Sequence, residues 1–249
     1  MRPRPRSRWP RWLPSSALCL AGLLFSGCVV SPQPEPPSII ASLLTITDAD
    51  PGTFTGQLGG VKVEGAAGAV QPGGSELSTL DLDTTDPAAT VSVADDGSFS
   101  LMLPGKTADS FRLQAFSSQL RSDPVDITRA TGITPIGTAV LVAAPLADCF
   151  LLSPGLEVGP IAASASATVE MANHCTDDVT VSGLSLRLGS PSFTLTPGAG
   201  PLVIPAQSTA TFMVSFTPQT GAPAEDIVFV EMAKPVQGRR TLTVRGQAP

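Results

Sequence analysis

The chain has 249 residues and a formal net charge of −6, and 42% of its residues are hydrophobic. That is enough apolar material for one large core or two small ones. Only 14% of the residues are charged, against roughly 25% in an average globular protein, whereas glycine (23 residues) and proline (25 residues) are frequent. This composition excludes a coiled coil and an acidic disordered tail, and the negative charge argues against nucleic acid as a partner.

The first 27 residues have the pattern of a secretory signal. Five arginines and no acidic residue lie in residues 1–11, and the apolar run of residues 13–25 follows. A run of this length is too short to span about 30 Å of hydrocarbon. Ser26 and Gly27 place small residues directly before Cys28. This order of segments predicts export, with residues 1–27 removed as a signal peptide.

Residues 24–28 (LFSGC) resemble the lipobox of bacterial lipoproteins, although Phe25 stands where leucine is usual. The resemblance implies a diacylglyceryl group on the Cys28 thiol and an N-acyl chain of the palmitate type after cleavage. Two or three acyl chains anchor a protein durably, because each buried CH₂ contributes ~0.8 kcal/mol. An ordinary secretory signal with a chance cysteine is the alternative.

The segment that follows fits a membrane tether. Residues 28–38 contain four prolines and are expected to be extended and stiff. Val29 is not the aspartate that marks inner-membrane retention in many two-membrane bacteria. The lipoprotein resemblance therefore implies an exported, membrane-anchored protein of the cell envelope, with the outer membrane favoured.

Removal of residues 1–27 changes the composition. It takes away five of the 15 basic residues and none of the 21 acidic ones, which leaves a formal net charge of −11. Trp9 and Trp12 are also lost and the chain has no tyrosine, so phenylalanine is the only large aromatic residue left. This argues against a sugar-stacking surface and against stacking on single-stranded nucleic acid.

Two cysteines, Cys149 and Cys175, remain beyond the signal and the lipid site. In an exported domain such a pair predicts a disulfide. His174 beside Cys175 leaves a metal site as the alternative, but two ligands from one short stretch make a poor zinc site.

Short alternating or apolar runs, separated by glycine, proline, aspartate and asparagine, predict strands through the rest of the chain. The predicted strands are residues 39–47, 61–65, 75–82, 90–94, 98–103, 110–117, 124–128, 167–173, 179–188, 192–196, 202–204, 209–216, 227–232 and 240–245. The fold class predicted is all-β, with two immunoglobulin-like β-sandwiches in tandem. The domains predicted are the signal peptide (1–27), the Pro-rich tether (28–38), a first sandwich (39–129), a linker (130–147) and a second sandwich (148–249).

Two family resemblances accompany this prediction. Residues 168–173 (TVEMAN), 193–195 (FTL), 204–208 (IPAQS), 214–218 (VSFTP) and 242–246 (LTVRG) resemble the bacterial immunoglobulin-like domains called choice-of-anchor D, relatives of the ASH/MSP sandwich. That resemblance implies a fold and an exported or scaffold context, and it supplies no catalytic residues. Residues 94–99 (ADDGSF) and 111–113 (FRL) more loosely resemble bacterial Ig-like repeats of surface proteins.

Few residues of the chain are suited to catalysis or to binding a cofactor. His174 is the only histidine and no serine lies in a G-x-S-x-G turn, so we predict that the chain is not an enzyme and has no small-molecule substrate. Asp81, Asp83 and Asp86 are a weak Ca²⁺ candidate, because Ca²⁺ prefers oxygen ligands. They fit a solvated acidic loop better, so no metal and no cofactor other than the lipid is expected.

These observations leave three functional hypotheses. The leading one is a lipid-anchored, non-catalytic structural, adhesion or protein-interaction module with an envelope protein as partner. The second is an accessory subunit of an envelope assembly or export complex. The third is a hydrolase with an unrecognised site.

Overall fold

The computed structural model describes residues 34–49, 59–132, 137–198, 200–219 and 221–248. The predicted signal peptide, Cys28 and most of the predicted tether lie outside the described residues. Among the residues described, the one helical element is a single 3₁₀ turn, Ala41–Leu43, and the rest of the regular structure is β-strand. No helix in these ranges has the length and apolar character needed to cross a membrane.

The first half of the described chain forms a sandwich of two sheets, which we call sheets I and II. The strands are β1 (Ser38–Ile39), β2 (Leu44–Asp48), β3 (Gly60–Gly65), β4 (Val70–Gln71), β5 (Glu76–Asp81), β6 (Ala89–Ser92), β7 (Phe99–Pro104), β8 (Phe111–Ser117), β9 (Leu120–Arg121), β10 (Val125–Arg129) and β11 (Ala139–Leu141). Sheet I has the order β2-β3-β7, and sheet II has the order β11-β10-β8-β5-β6 with β9 added beside β8. The short strands β1 and β4 pair with each other.

The second half forms a sandwich of sheets III and IV. The strands are β12 (Phe150–Ser153), β13 (Glu157–Ile161), β14 (Ala165–Asn173), β15 (Val179–Leu186), β16 (Phe193–Thr196), β17 (Leu202–Ile204), β18 (Ser208–Phe216), β19 (Ala224–Lys234) and β20 (Gly238–Gly246). Sheet III has the order β12-β14-β18-β16, and sheet IV has the order β13-β20-β19-β15-β17. All pairs in these two sheets are antiparallel except β13 with β20, which is parallel.

Each sandwich has its own core, built from the inward-facing side of alternating strands. Phe99, Leu101 and Leu103 of β7 are buried while the intervening residues are exposed, as the alternation in the sequence predicts. Phe212 and Phe216 of β18 are fully buried in the second core. The all-β sandwich fold predicted from the sequence is confirmed.

The Asp-Asp-Gly sequence of residues 95–97 is typical of a hairpin turn, but here it joins strands of two different sheets. Gly97 has a φ of +85° and its N–H donates to Ala94 O over 2.9 Å, so the tight turn forms. However, β6 pairs with β5 in sheet II, whereas β7 pairs with β3 in sheet I. The turn therefore connects the two sheets of the sandwich. The strands on either side of it lie in opposite layers, and both pack their apolar faces against the same core.

The two sandwiches belong to one compact unit that begins at Glu35. Sheet II packs its outer face on the outer face of sheet IV, so β8 is buried on both sides. Leu113 points into the first core at 0% exposure, while Arg112 and Gln114 point toward sheet IV at 5% and 6% exposure. Residues 139–141 of the predicted linker form β11, which pairs with β10 in sheet II.

Candidate functional site

The predicted disulfide forms between Cys149 and Cys175, whose Cα atoms are 4.9 Å apart. It links the residue before β12 to the loop that follows β14. His174 is exposed, and its backbone N–H donates to Cys149 O over 2.8 Å. Because both sulfur atoms are bonded to each other, the alternative of a metal site at His174 and Cys175 is wrong.

Asn173 fixes the loop that carries this disulfide. Its side chain is fully buried, and Nδ2 donates to the carbonyl oxygens of Asp177, Ile204 and Pro205 at 3.0, 2.9 and 3.0 Å. Its Oδ1 accepts the N–H of Cys175 over 3.0 Å. A buried amide satisfied in this way holds the end of β14 against the end of β17 and the turn that follows it.

The three carboxylates of the weak Ca²⁺ candidate do not share one coordination sphere. Asp81 Oδ1 accepts the N–H of Asp83 over 2.8 Å. The carboxylate of Asp83 accepts the N–H of Ser110 at 2.8 Å and lies 3.2 Å from Nη1 of Arg239. Over the described ranges, no group of three His, Cys, Asp or Glu side chains is placed to hold a metal ion.

The acidic segment, residues 81–86, is not simply solvated, because Arg187 and Arg239 of the second sandwich bind it. Arg187 is 8% exposed and donates from Nε to Asp81 O at 3.1 Å and from Nη2 to Asp86 O at 2.7 Å. Burial lowers the pKa of the Arg187 guanidinium, and the charges of Asp226, Asp81 and Asp86 oppose this effect. The segment of residues 81–86 therefore acts as a contact between the sandwiches.

Asp81 has a strongly perturbed acidity. It is 2% exposed, and its Oδ2 is buried without a hydrogen-bond partner. Burial raises its pKa to about 6; the N–H of Asp83 opposes this, and the carboxylates of Asp109 and Asp83 reinforce it. A Cβ atom at Gly105 would lie 2.5 Å from this oxygen, so the backbone closes directly over the carboxyl group.

Arg112 is the centre of the contact between sheets II and IV. It pairs with Asp126 on the neighbouring strand through two hydrogen bonds, from Nε at 2.6 Å and from Nη2 at 2.7 Å. Nη1 also donates to Thr243 Oγ1 at 2.9 Å, and Nη2 donates to Thr241 Oγ1. Thr241 completes the network by donating to Asp126 Oδ2 over 2.6 Å.

Further polar pairs flank this centre. Gln114 Nε2 donates to Glu157 Oε1 over 2.6 Å and to Ser122 O over 2.9 Å. At the rim, Arg121 and Glu225 lie 2.9 Å apart, with side-chain exposures of 37% and 46%. Exposed pairs of this kind stabilise by well under about 1 kcal/mol, so the buried network carries most of the polar contribution.

Two grooves open along the edge of this contact. The larger has a volume of about 980 Å³ and lies between residues 142–145, the acidic segment and the hairpin of β19 and β20. The smaller, of about 220 Å³, adjoins it and shares Val142 and Ala144 with its lining; here Leu141 and Leu156 are 62% and 46% exposed. These are the candidate binding surfaces of the chain.

Sequence reasoning missed the residues that join the sandwiches. Arg112 and Gln114 alternate with apolar residues in β8, and that pattern predicts a solvent-facing side. Nothing in one sequence tells a solvent-facing strand surface from one that meets a second domain through polar groups. The high proportion of polar side chains at the contact is typical of interfaces between domains.

No family model matches the chain, and no curated protein matches it. Among solved structures, the ASH/PapD-like domain 7 of human CEP192 is 14% identical, with a TM-score of 0.35 over 44% of this chain and 94% of that one. SSP-19, an MSP-domain protein like family member of Caenorhabditis elegans, is 17% identical, with a TM-score of 0.31 over 39% of this chain and 99% of that one. The D0-D1 domain of intimin is 9% identical, with a TM-score of 0.30 over 76% of this chain and 90% of that one. At these identities and scores the likenesses do not bear on family or function, and the fold assignment rests on the sheets themselves.

Proposed function

We propose that the chain is an exported lipoprotein, anchored through Cys28, whose two sandwiches act as a non-catalytic interaction module of the cell envelope. The observation that supports this most is the buried network around Arg112, which joins the sandwiches into one body. Two sandwiches joined by a buried network suit a protein that holds a binding surface at a distance from a membrane.

The surroundings of the chain's single histidine support a non-catalytic role. A serine or cysteine nucleophile needs a base that a third group orients. His174 is exposed on the loop of the disulfide, and its backbone N–H is used to hold that loop. The hydrogen bonds around His174 and Arg112 thus join strands and sandwiches.

The proposed membrane anchor is supported by the sequence pattern at residues 24–28 and by the prolines that follow it. Because two or more acyl chains are needed for durable binding, the proposal requires full lipid modification of Cys28. Because Val29 and not aspartate follows the cysteine, the proposal favours the outer membrane of a two-membrane cell.

Metabolic labelling tests the anchor. Cells that express the full-length chain are grown with an alkyne analogue of palmitate, and the membranes are separated by density. We expect label on the wild-type chain in the outer-membrane fraction and none on Cys28→Ala. Cys19→Ala, which changes the cysteine of the signal, is the matched control and should be labelled like the wild type. An unlabelled wild-type chain, or a labelled Cys28→Ala chain, would overturn the lipoprotein assignment.

A further inference from the structure

The larger groove at the junction has one wall made of small exposed residues. Ala143 and Ala144 of this wall are exposed, and the lining of the groove also contains the exposed Ala233 and Val236. Val236 is 47% exposed at the tip of the hairpin between β19 and β20. Small side chains let the backbone of a bound chain approach closely, so the groove suits an extended peptide segment.

The backbone of this wall is free to pair. β11 ends at Leu141, and the N–H of Val142 makes the last bond to sheet II by donating to Asp126 O over 2.9 Å. Within the part of the chain that the structure describes, the backbone groups of Ala143 and Ala144 have no hydrogen-bond partner. An unpaired, exposed backbone that continues an edge strand is the feature to which an added strand binds.

The charge of the groove indicates which kind of segment it binds. Its lining contains the carboxylates of Asp83, Asp126 and Glu231 and the guanidinium of Arg239. Asp83 and Glu231 both pair with Arg239 and Asp126 pairs with Arg112, so three carboxylates face two guanidiniums, a formal charge of −1. The chain beyond residue 27 is itself strongly acidic, at −11. Such a surface attracts basic segments and repels acidic ones.

We propose that this groove binds an extended segment of a partner protein, in which apolar side chains alternate with basic ones. Main-chain hydrogen bonds to residues 143–144 would give affinity, and contacts with Val236 and with the carboxylates of Asp83 and Glu231 would give specificity. This inference rests on the proposed function and names the surface and the partner chemistry of that interaction role.

Site-specific photocrosslinking in living cells tests the inference. Ala143 of the full-length chain is replaced by p-benzoyl-phenylalanine, and in a second strain Thr168, exposed on sheet III, is replaced instead. Adducts are purified after irradiation, and the crosslinked peptide is identified by mass spectrometry. Each probe is then combined with Val236→Arg or with the matched control Val203→Arg, an equally exposed valine on β17.

The inference predicts a single protein adduct from position 143, mapped to a basic and apolar segment. Val236→Arg should reduce that adduct at least tenfold, because it fills part of the groove and cancels its net negative charge, and Val203→Arg should leave it unchanged. An acidic segment, a lipid adduct alone, or an adduct from position 143 that Val236→Arg does not reduce would overturn the inference. A partner that crosslinks only from position 168 would also overturn it, while the interaction role would stand. Absence of any protein adduct from both positions would overturn the interaction role as well.

Discussion

Nη1 of Arg112 donates a hydrogen bond of 2.9 Å to Thr243 Oγ1 across the boundary between the two sandwiches, and both residues are buried. A guanidinium in such a place is stabilised only by full pairing, because burial of a charge costs several kcal/mol. The carboxylate of Asp126 and the two threonine hydroxyls provide this pairing. Arg112 is thus a central polar contact between the two sandwiches.

Arg112→Ala should lower the free energy of unfolding by about 3 kcal/mol, since it leaves the partly buried Asp126 without its cation. Urea denaturation of the purified protein measures this value. Arg112→Ala combined with Asp126→Ala should be less destabilised than Arg112→Ala alone, because the orphaned charge is then gone. Equal stability of wild type and Arg112→Ala would show that the network does not hold the sandwiches together.

The raised pKa of Asp81 predicts how the free energy of unfolding depends on pH. Burial raises its pKa from 3.8 to about 6, so the folded state binds this proton more tightly than the unfolded state does. The contribution of this group is therefore fully present below pH 3.8 and is lost as the pH rises through about 6. Asp81→Asn keeps the side-chain shape and the acceptor for the Asp83 N–H but cannot ionise.

We expect the free energy of unfolding of the wild type to rise between pH 7 and pH 5, because Asp81 becomes protonated in the folded state. Asp81→Asn should lack that rise. Urea denaturation at several pH values measures both profiles, and Asp95→Asn, on an exposed turn, is the matched control. Parallel profiles of the wild type and Asp81→Asn would contradict the assignment.

The disulfide should stabilise mainly by restricting the unfolded chain. Cys149 and Cys175 are 26 residues apart, and a loop of that length corresponds to about 3.5 kcal/mol in the chain-entropy model. The double variant Cys149→Ser with Cys175→Ser should lose roughly this free energy of unfolding. A reductant should destabilise the wild type and leave the double variant unaffected, and an equal response of both proteins would argue against the bond.

Gly246 is a position where even one methyl group has no space. A Cβ atom there would lie 2.1 Å from the ring of Phe216 in the second core. Gly246→Ala should destabilise by about 1–3 kcal/mol through overpacking. Gly183→Ala is the control, because a Cβ at Gly183 meets nothing within 4 Å and should change stability little. Thermal unfolding of the two variants compares them directly, and similar melting temperatures would contradict the packing described.

The sequence was most informative where one strand face is apolar. The alternation of Phe212, Val214 and Phe216 predicts a half-buried strand, and the structure has it. β13 was not predicted, because Gly159 and Pro160 interrupt it and it pairs in parallel with a distant strand. The sequence predicts a solvated acidic segment at residues 81–86, because the partners that bind it, Arg187 and Arg239, lie more than 100 residues away in sequence.

The central claim is that the chain is a membrane-anchored module that binds one envelope protein. The most direct measurement is in-cell crosslinking of tagged full-length protein, followed by mild detergent extraction and quantification of co-purified proteins. The account predicts one envelope protein at near-equal stoichiometry with the wild-type chain and its loss with Cys28→Ala. Recovery of only abundant background proteins, or the same partner at the same yield with Cys28→Ala, would contradict it.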